Sequence, residues 1–169
     1  MAVVVLDTET TGYTNRDFVI ELGAVALTPG GKELGRFSSL VRPGRALNPR
    51  MREALAINQI EEQLLATAPS APSVWEAFLQ WASLHAPVQE VLAYNTSFDK
   101  RMMGLTFPGS EHLPWGSCIM RDASMVINGD RRGVKLEEAV EHFGIEAPVG
   151  QQHRAVTDAV AAGMVWALL

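Results

Sequence analysis

Two acidic residues stand two positions apart in the segment 7–12, which reads Asp-Thr-Glu-Thr-Thr-Gly. The segment follows a β-branched run over 2–6, which predicts a buried central strand. Since side chains two apart on a strand face the same side, Asp7 and Glu9 would present their carboxylates together. Adjacent carboxylates repel one another, and an all-oxygen ligand set suits hard cations such as Mg²⁺ or Mn²⁺. The pair indicates a metal site, although an acid-rich strand end entering a loop accounts for it equally well.

A third acid, Asp99, ends the segment 94–99, where a strand predicted over 90–94 leads into a helix. We expect Ser97 to cap this helix, which would run to Met103. An acid in the first helical turn compensates the helix dipole. Taken alone, Asp99 therefore indicates a helix start rather than a functional site.

A fourth acid, Asp158, lies five residues after His153. Five residues along a helix rotate a side chain by roughly 140°. His153 can share a site with Asp158 only if it lies in a loop or first turn, while Asp158 lies inside the helix. A surface histidine and a surface acid at a helix start also fit this pattern.

The remaining elements must place these side chains. Apolar runs over 18–27 and 33–41, separated by the turn 28–31, predict two further strands paired as a hairpin. Ser73 and Glu76 match a capping box and predict a helix start at Ser73. Cys118 is expected to begin a helix over 118–126, and an apolar helix over 153–169 is expected to pack on the sheet. The chain is thus predicted to be one α/β domain with a strand meander followed by mixed crossovers.

Together, in this order, the three motifs resemble those of the DEDDh exonucleases of the DnaQ-like, ribonuclease-H-like superfamily. The resemblance covers residues 3–162. It rests on Asp7, Glu9, Thr10 and Gly12, then on Asn95, Phe98 and Asp99, and finally on His153, Arg154, Ala155, Asp158 and Ala159. Many members have histidine where this chain has Tyr94, which places a difference in the local substrate pocket.

The resemblance implies a mixed five-stranded sheet, with a three-strand antiparallel meander plus parallel strands, flanked by helices. It implies a 3′→5′ exonuclease that hydrolyses phosphodiester bonds at DNA or RNA 3′ ends and releases nucleoside 5′-monophosphates. Two divalent ions, Mg²⁺ or Mn²⁺, would be held by four catalytic carboxylates, and His153 would be the general base. The implied metal ligands are Asp7, Glu9, Asp99 and Asp158, and the implied substrate-binding residues are Thr10, Thr11, Gly12, Asn95 and Phe98.

Basic residues offer candidate phosphate contacts. Arg42, Arg45, Arg50 and Arg52 could follow a nucleic-acid backbone, although a solvated surface is at least as compatible with them. Lys100 and Arg101, next to Asp99, are better candidates, and the pair 131–132 could touch a strand beyond the active site. The net charge of −5 does not exclude a polyanionic substrate, because bound cations would neutralise four of the acids.

Composition bounds the remaining possibilities. The length of 169 residues predicts a single domain over 1–169, and the 47% hydrophobic content excludes disordered and collagen-like classes. The resemblance implies that this single domain is an exonuclease domain. A single cysteine, no signal peptide and no membrane span predict a free-standing cytoplasmic protein. A polymerase partner or a homodimer is not indicated. The alternatives are an exoribonuclease that trims RNA 3′ ends or short oligoribonucleotides, a non-catalytic nucleic-acid-binding module, and a phosphohydrolase of small esters.

Overall fold

The computed structural model describes residues 1–146 and 154–169. The strands are β1 (Ala2–Thr10), β2 (Val19–Leu27), β3 (Glu33–Leu40), β4 (Val88–Ala93) and β5 (Trp115–Cys118). The helices are α1 (Pro49–Ile57), α2 (Glu62–Thr67), α3 (Ala71–Ser83), α4 (Thr96–Thr106), α5 (Ile119–Asn128), α6 (Leu136–His142) and α7 (Ala155–Trp166). A short 3₁₀ turn covers Ser110–His112.

The five strands form one mixed sheet in the order β3-β2-β1-β4-β5. β1, β2 and β3 pair antiparallel as a meander, whereas β4 pairs parallel with β1 and β5 pairs parallel with β4. The predicted fold class is therefore confirmed. β1 occupies the centre of the sheet because its apolar residues are buried on both faces, as the continuous β-branched run predicts.

Alternate residues of β1 face two separate apolar cores. Val4 and Leu6 pack on the side covered by α3 and α4, while Val3 and Val5 pack on the side covered by α5, α6 and α7. By this alternation, the odd-numbered residues that continue β1 face α7 and the even-numbered residues face α4. The expectation that the last helix packs on the sheet is confirmed.

Two predicted helix caps are wrong. α3 begins at Ala71, and the hydroxyl of Ser70 accepts a hydrogen bond from the Ser73 amide at 3.4 Å. Pro72 is compatible with the first turn because the amide that it lacks has no partner inside a helix. α4 begins one residue before Ser97, whose hydroxyl donates to the side chain of Asn95 at 3.0 Å.

The shortest strand, β5, ends at the residue where the sequence predicts a helix to begin. Cys118 is the last residue of β5 and precedes α5. Within the described ranges, no helix is long and apolar enough to cross a bilayer.

Candidate active site

Three carboxylates meet where β1 approaches α7. Asp7 and Glu9 lie two residues apart on β1, and Asp158 lies in the first turn of α7. One carboxylate oxygen from each residue lies within 4.8 Å of the others. The strand spacing predicted the pairing of Asp7 with Glu9, and α7 adds the third carboxylate from the same side of the sheet.

A glycine in β2 lets α7 come this close. Gly23 pairs with Asp7 in the antiparallel register, so it lies beside the acidic cluster. A Cβ atom on Gly23 would overlap the backbone of Ala155 and Val156, the first two residues of α7. Only a residue without a side chain allows the helix start to pack directly on the strand.

An ion pair also holds the start of α7 against β2, two residues before Gly23. Glu21, whose side chain is fully buried, accepts hydrogen bonds from Arg154 Nε at 3.0 Å and from Arg154 Nη2 at 2.6 Å. The Ala155 amide also donates to Glu21 at 3.4 Å. Arg154 belongs to the third motif and Glu21 to the strand predicted over 18–27, but no local pattern showed that they contact each other across the fold.

The fourth acid, Asp99, reaches the site from the opposite face of the sheet. It lies in the first turn of α4, is buried, and accepts a hydrogen bond from the Thr8 hydroxyl at 2.8 Å. It is not one of the three residues whose oxygen atoms lie within 4.8 Å of each other. Even so, its charge raises the pKa of Asp7 more than the charge of any other acid does. The site therefore lies at the C-terminal end of the central strand β1 and includes residues from the helices on both faces of the sheet.

Burial and mutual repulsion perturb the ionisation of these acids. The pKa of Asp7 is raised well above its ordinary value, first by burial and then by Asp99 and Glu9. Burial, followed by the charges of Asp158 and Glu21, raises the pKa of Glu9 to about 8. Burial raises the pKa of Asp99 to about 7 against the opposing hydrogen bond from Thr8. Clustered carboxylates of this kind gain when a cation binds among them.

The loop after β1 is held by its own polar side chains. The Thr10 hydroxyl donates to the Gly12 carbonyl at 2.7 Å, and the buried Thr11 hydroxyl donates to Asp17 at 3.0 Å. Gly12 has a φ of +148°, and a Cβ atom there would lie 2.8 Å from the Asp17 carboxylate and would overlap Arg50. Both threonine hydroxyls are thus engaged within the loop, which fixes its backbone beside the acidic cluster.

The second motif lies at the start of α4. The Asn95 carbonyl accepts hydrogen bonds from the amides of Phe98 and Asp99 at 2.9 and 3.2 Å, so it starts the helix that carries Asp99. Phe98 is half-buried, and the Arg101 guanidinium lies 5.7 Å from its ring centroid. The hydroxyl of the buried Tyr94 donates to the Val134 carbonyl at 2.8 Å, which turns this side chain towards the core.

The donor set suits a divalent cation. Asp7, Glu9 and Asp158 supply clustered carboxylate oxygens, which Mg²⁺ and Mn²⁺ prefer as ligands. Burial first, and then repulsion from neighbouring acids, raises the pKa values of Asp7 and Glu9. The fifth predicted catalytic residue, His153, lies outside the described residues.

A family of known proteins matches this chain over nearly its whole length. A family model described as "Exonuclease" matches residues 4–165. The chain belongs to this exonuclease family. The resemblance inferred from the three motifs is thereby confirmed, as is the prediction of a hydrolytic exonuclease fold.

Curated relatives of this exonuclease are much longer than the chain itself. A DNA polymerase III subunit epsilon-like protein of Rhodobacter capsulatus is 29% identical over 164 residues, which are 95% of this chain and 22% of the relative. A DNA polymerase III PolC-type protein of Oceanobacillus iheyensis is 28% identical over 170 residues, 98% of this chain and 11% of the relative. The chain therefore spans about a fifth or less of the length of these proteins.

Solved structures share the fold of this exonuclease. The nuclease domain of 3′hExo, a DEDDh family member bound to rAMP, superposes with a TM-score of 0.78 at 18% identity, covering 99% of this chain and 90% of that one. E. coli Exonuclease I in complex with a dT13 oligonucleotide superposes with a TM-score of 0.73 at 17% identity, covering 99% of this chain and 40% of that one. These likenesses confirm the arrangement of sheet and helices.

Proposed function

We propose that residues 1–169 form one metal-dependent 3′→5′ exonuclease domain that releases nucleoside 5′-monophosphates. The observation that carries the proposal is the cluster of Asp7, Glu9 and Asp158 within 4.8 Å, with Asp99 beside it. Four carboxylates gathered at the C-terminal end of the central strand repel one another in the metal-free protein. Bound cations would relieve this repulsion, which favours a cation-dependent reaction at the cluster.

The four acids would hold two divalent ions, which supply Lewis-acid stabilisation of the attacking and leaving oxygens when bound. Asp7 and Glu9 would bind from the α7 side of the sheet, with Asp158, and Asp99 from the α4 side. Thr8 would orient Asp99 through its 2.8 Å hydrogen bond. His153 would accept the proton of the attacking water, since an ordinary histidine titrates near neutral pH.

The backbone of Thr10, Thr11 and Gly12 would contact the terminal nucleotide. The Thr10 and Thr11 hydroxyls fix the loop, and the Thr11 amide donates to the Phe18 carbonyl at 3.1 Å. The Gly12 amide is therefore the candidate donor. Asn95 and Phe98 would complete the pocket from α4. The names of the curated relatives favour DNA as the first substrate to test, because both are DNA polymerase III proteins.

The test is product analysis on matched, end-labelled oligonucleotides. Single- and double-stranded DNA and RNA are incubated with Mg²⁺, Mn²⁺ or EDTA, and the products are resolved over time. We expect 5′-mononucleotides from the first cycles and no reaction in EDTA. Early internal fragments, or full hydrolysis in EDTA, would contradict the proposal. Hydrolysis of RNA alone would identify the exoribonuclease instead.

A further inference from the structure

Arginine side chains line a groove on the outer side of the loop after β1. One cavity of about 750 Å³ is lined by Arg16, Arg45 and Arg50, and an adjoining cavity of about 450 Å³ adds Arg42. The two cavities share Asn15, Arg16 and Arg45. The only acid in their linings is Asp17, so the groove, here called the arginine groove, carries a net positive charge.

Two of these arginine side chains, those of Arg45 and Arg50, are held in place by contacts with other residues. Arg50 pairs with the buried Asp17 at 2.7 Å while its own side chain stays 47% exposed. The Arg45 guanidinium lies 5.4 Å from the Phe18 ring centroid and donates to the Arg16 carbonyl. A guanidinium has five N–H donors, so each retains donors for a further ligand.

Two other arginines have no carboxylate partner in the described part of the chain. Arg16 and Arg42 are exposed, and the structure gives neither guanidinium an ion pair with a described residue. By contrast, Arg52 is paired with Glu62 at 2.8 Å. The sequence had grouped Arg52 with Arg42 as one basic stretch, and the fold separates their charge environments.

The loop that lines the arginine groove follows directly on the strand that carries Asp7 and Glu9. Thr14, the first residue of this loop that lines the groove, lies five residues after Glu9, and five residues span at most about 18 Å. Arg101, two residues after Asp99, donates to the Tyr13 carbonyl at 2.9 Å and to Asn15 at 3.2 Å. The loop that forms one wall of the groove is thus joined to the helix that carries an active-site acid.

We propose that the arginine groove binds phosphates of the substrate strand beyond the scissile bond, through Arg16, Arg42, Arg45 and Arg50. The inference rests on the proposed exonuclease function. A nucleic-acid strand carries a phosphate every ~3.4 Å of helical rise, so the groove begins within about five phosphates of Glu9. Contacts to phosphate carry no base information, and the groove therefore accepts DNA and RNA alike.

The test compares the double variant Arg16→Gln/Arg42→Gln with the wild type. Neither residue has an ion pair within the described ranges 1–146 and 154–169, so the fold should be unchanged. We expect wild-type hydrolysis of a dinucleotide, but about tenfold lower kcat/KM on a single strand of about twelve nucleotides. Each lost phosphate contact lowers the log–log salt slope by about 0.7, so oligonucleotide binding should lose about 1.4 from its slope.

The matched control is Lys32→Gln/Arg36→Gln, which removes the same charge. Both residues are exposed and line neither cavity of the arginine groove. Arg36 lies level with Val5, and Lys32 lies in the turn between β2 and β3. An arginine-groove variant that matches this control in salt slope and length dependence would overturn the proposal. So would a loss confined to DNA or to RNA, because phosphate is common to both.

Binding measured by fluorescence anisotropy in EDTA keeps this test separate from the proposed function. If the wild type hydrolyses no substrate, the exonuclease proposal fails. A reduced salt slope in the Arg16→Gln/Arg42→Gln variant would still support the arginine groove as a phosphate-binding surface.

Discussion

Arg154 and Glu21 join the start of α7 to the first part of β2 through a hydrogen-bonded ion pair at 2.6 Å. Glu21 is fully buried and its charge also raises the pKa values of Asp7 and Glu9, whereas Arg154 lowers that of Glu9. The arginine therefore anchors α7 and is a permanent counter-ion beside the acidic cluster.

Replacing Arg154 by Gln leaves the buried carboxylate of Glu21 unpaired next to the acidic cluster. Removing one partner of a buried pair costs about 3–5 kcal/mol, and we expect a loss of this order in urea unfolding with EDTA. Glu21→Gln should cost less, because it also removes repulsion from the cluster. Arg36→Gln, which breaks the exposed pair with Glu33, is the control and should cost under about 1 kcal/mol. Equal losses for Arg154→Gln and Arg36→Gln would contradict this role.

Gly23→Ala should separate α7 from β2. The new Cβ atom overlaps the backbone of Ala155 and Val156. Backbone atoms cannot move aside as the end of a flexible side chain can. Overpacking of this kind costs about 1–3 kcal/mol, and it moves Asp158 away from Asp7. We expect a lower Tm and a smaller rise in Tm on adding Mn²⁺. Gly44→Ala, where a Cβ atom meets nothing within 4 Å, should change neither quantity.

The metal-free protein should lose stability as the pH rises. Glu9 has a pKa of about 8 and Asp99 of about 7 in the folded state, against ordinary values near 4. Between pH 4 and these values the folded state keeps protons that the unfolded chain has lost, so the free energy of unfolding falls with pH. Burial raises the pKa of Asp17, but hydrogen bonds from Thr14 and Arg50 outweigh this effect and lower it to about 2. Asp17 therefore affects the pH dependence of stability only below about pH 4. Thermal melts in EDTA from pH 5 to 8 measure the trend, and a rising Tm would refute it.

Asp158→Asn removes one negative charge from the cluster at nearly constant shape. In EDTA the variant should melt at or above the wild-type temperature, because repulsion with Asp7 and Glu9 is relieved. It should also gain less stability from Mn²⁺, since a ligand has been lost. A variant that melts clearly lower in EDTA, yet gains as much from Mn²⁺, would make Asp158 a structural residue.

Substitution of His153 should affect turnover and metal binding differently from substitution of the acids. A general base contributes typically 10²–10⁴-fold to the rate, so His153→Ala should lose most turnover while keeping Mn²⁺-dependent stabilisation. Its residual single-turnover rate should rise with pH, as hydroxide replaces the missing base. Asp7→Asn is the comparison, in which turnover and Mn²⁺-dependent stabilisation should fall together. Near-normal turnover of His153→Ala at pH 7 would show that it is not the base.

Local sequence patterns predicted the parts of the fold that depend on local chemistry. The β-branched run placed β1, and the two-residue spacing placed Asp7 beside Glu9 on one face. The caps at Ser73 and Ser97 were wrong because neighbouring serine and asparagine residues satisfy the same local rule. A choice between such neighbours depends on how the rest of the chain packs.

The contacts that complete the site are remote in sequence and left no periodic signal. Glu21 contacts Arg154, and Gly23 accommodates the α7 backbone, only after the meander and the last helix have docked. β5 has four residues, too few for alternation to distinguish it from a loop. The arginine groove likewise collects Arg16 and Arg42 from two separate loops.

Asp158 lies in the last helix of the chain and Asp7 in the first strand, so the cluster draws on nearly the whole polypeptide. During synthesis, β1 and α4 are complete long before α7 emerges. A partly made chain thus has two of the acids on β1 and the third on α4, but lacks the helix that brings Asp158 to them. The proposed metal site is therefore complete only once α7 has docked on the sheet, and a chain that stops before Asp158 is expected to lack it.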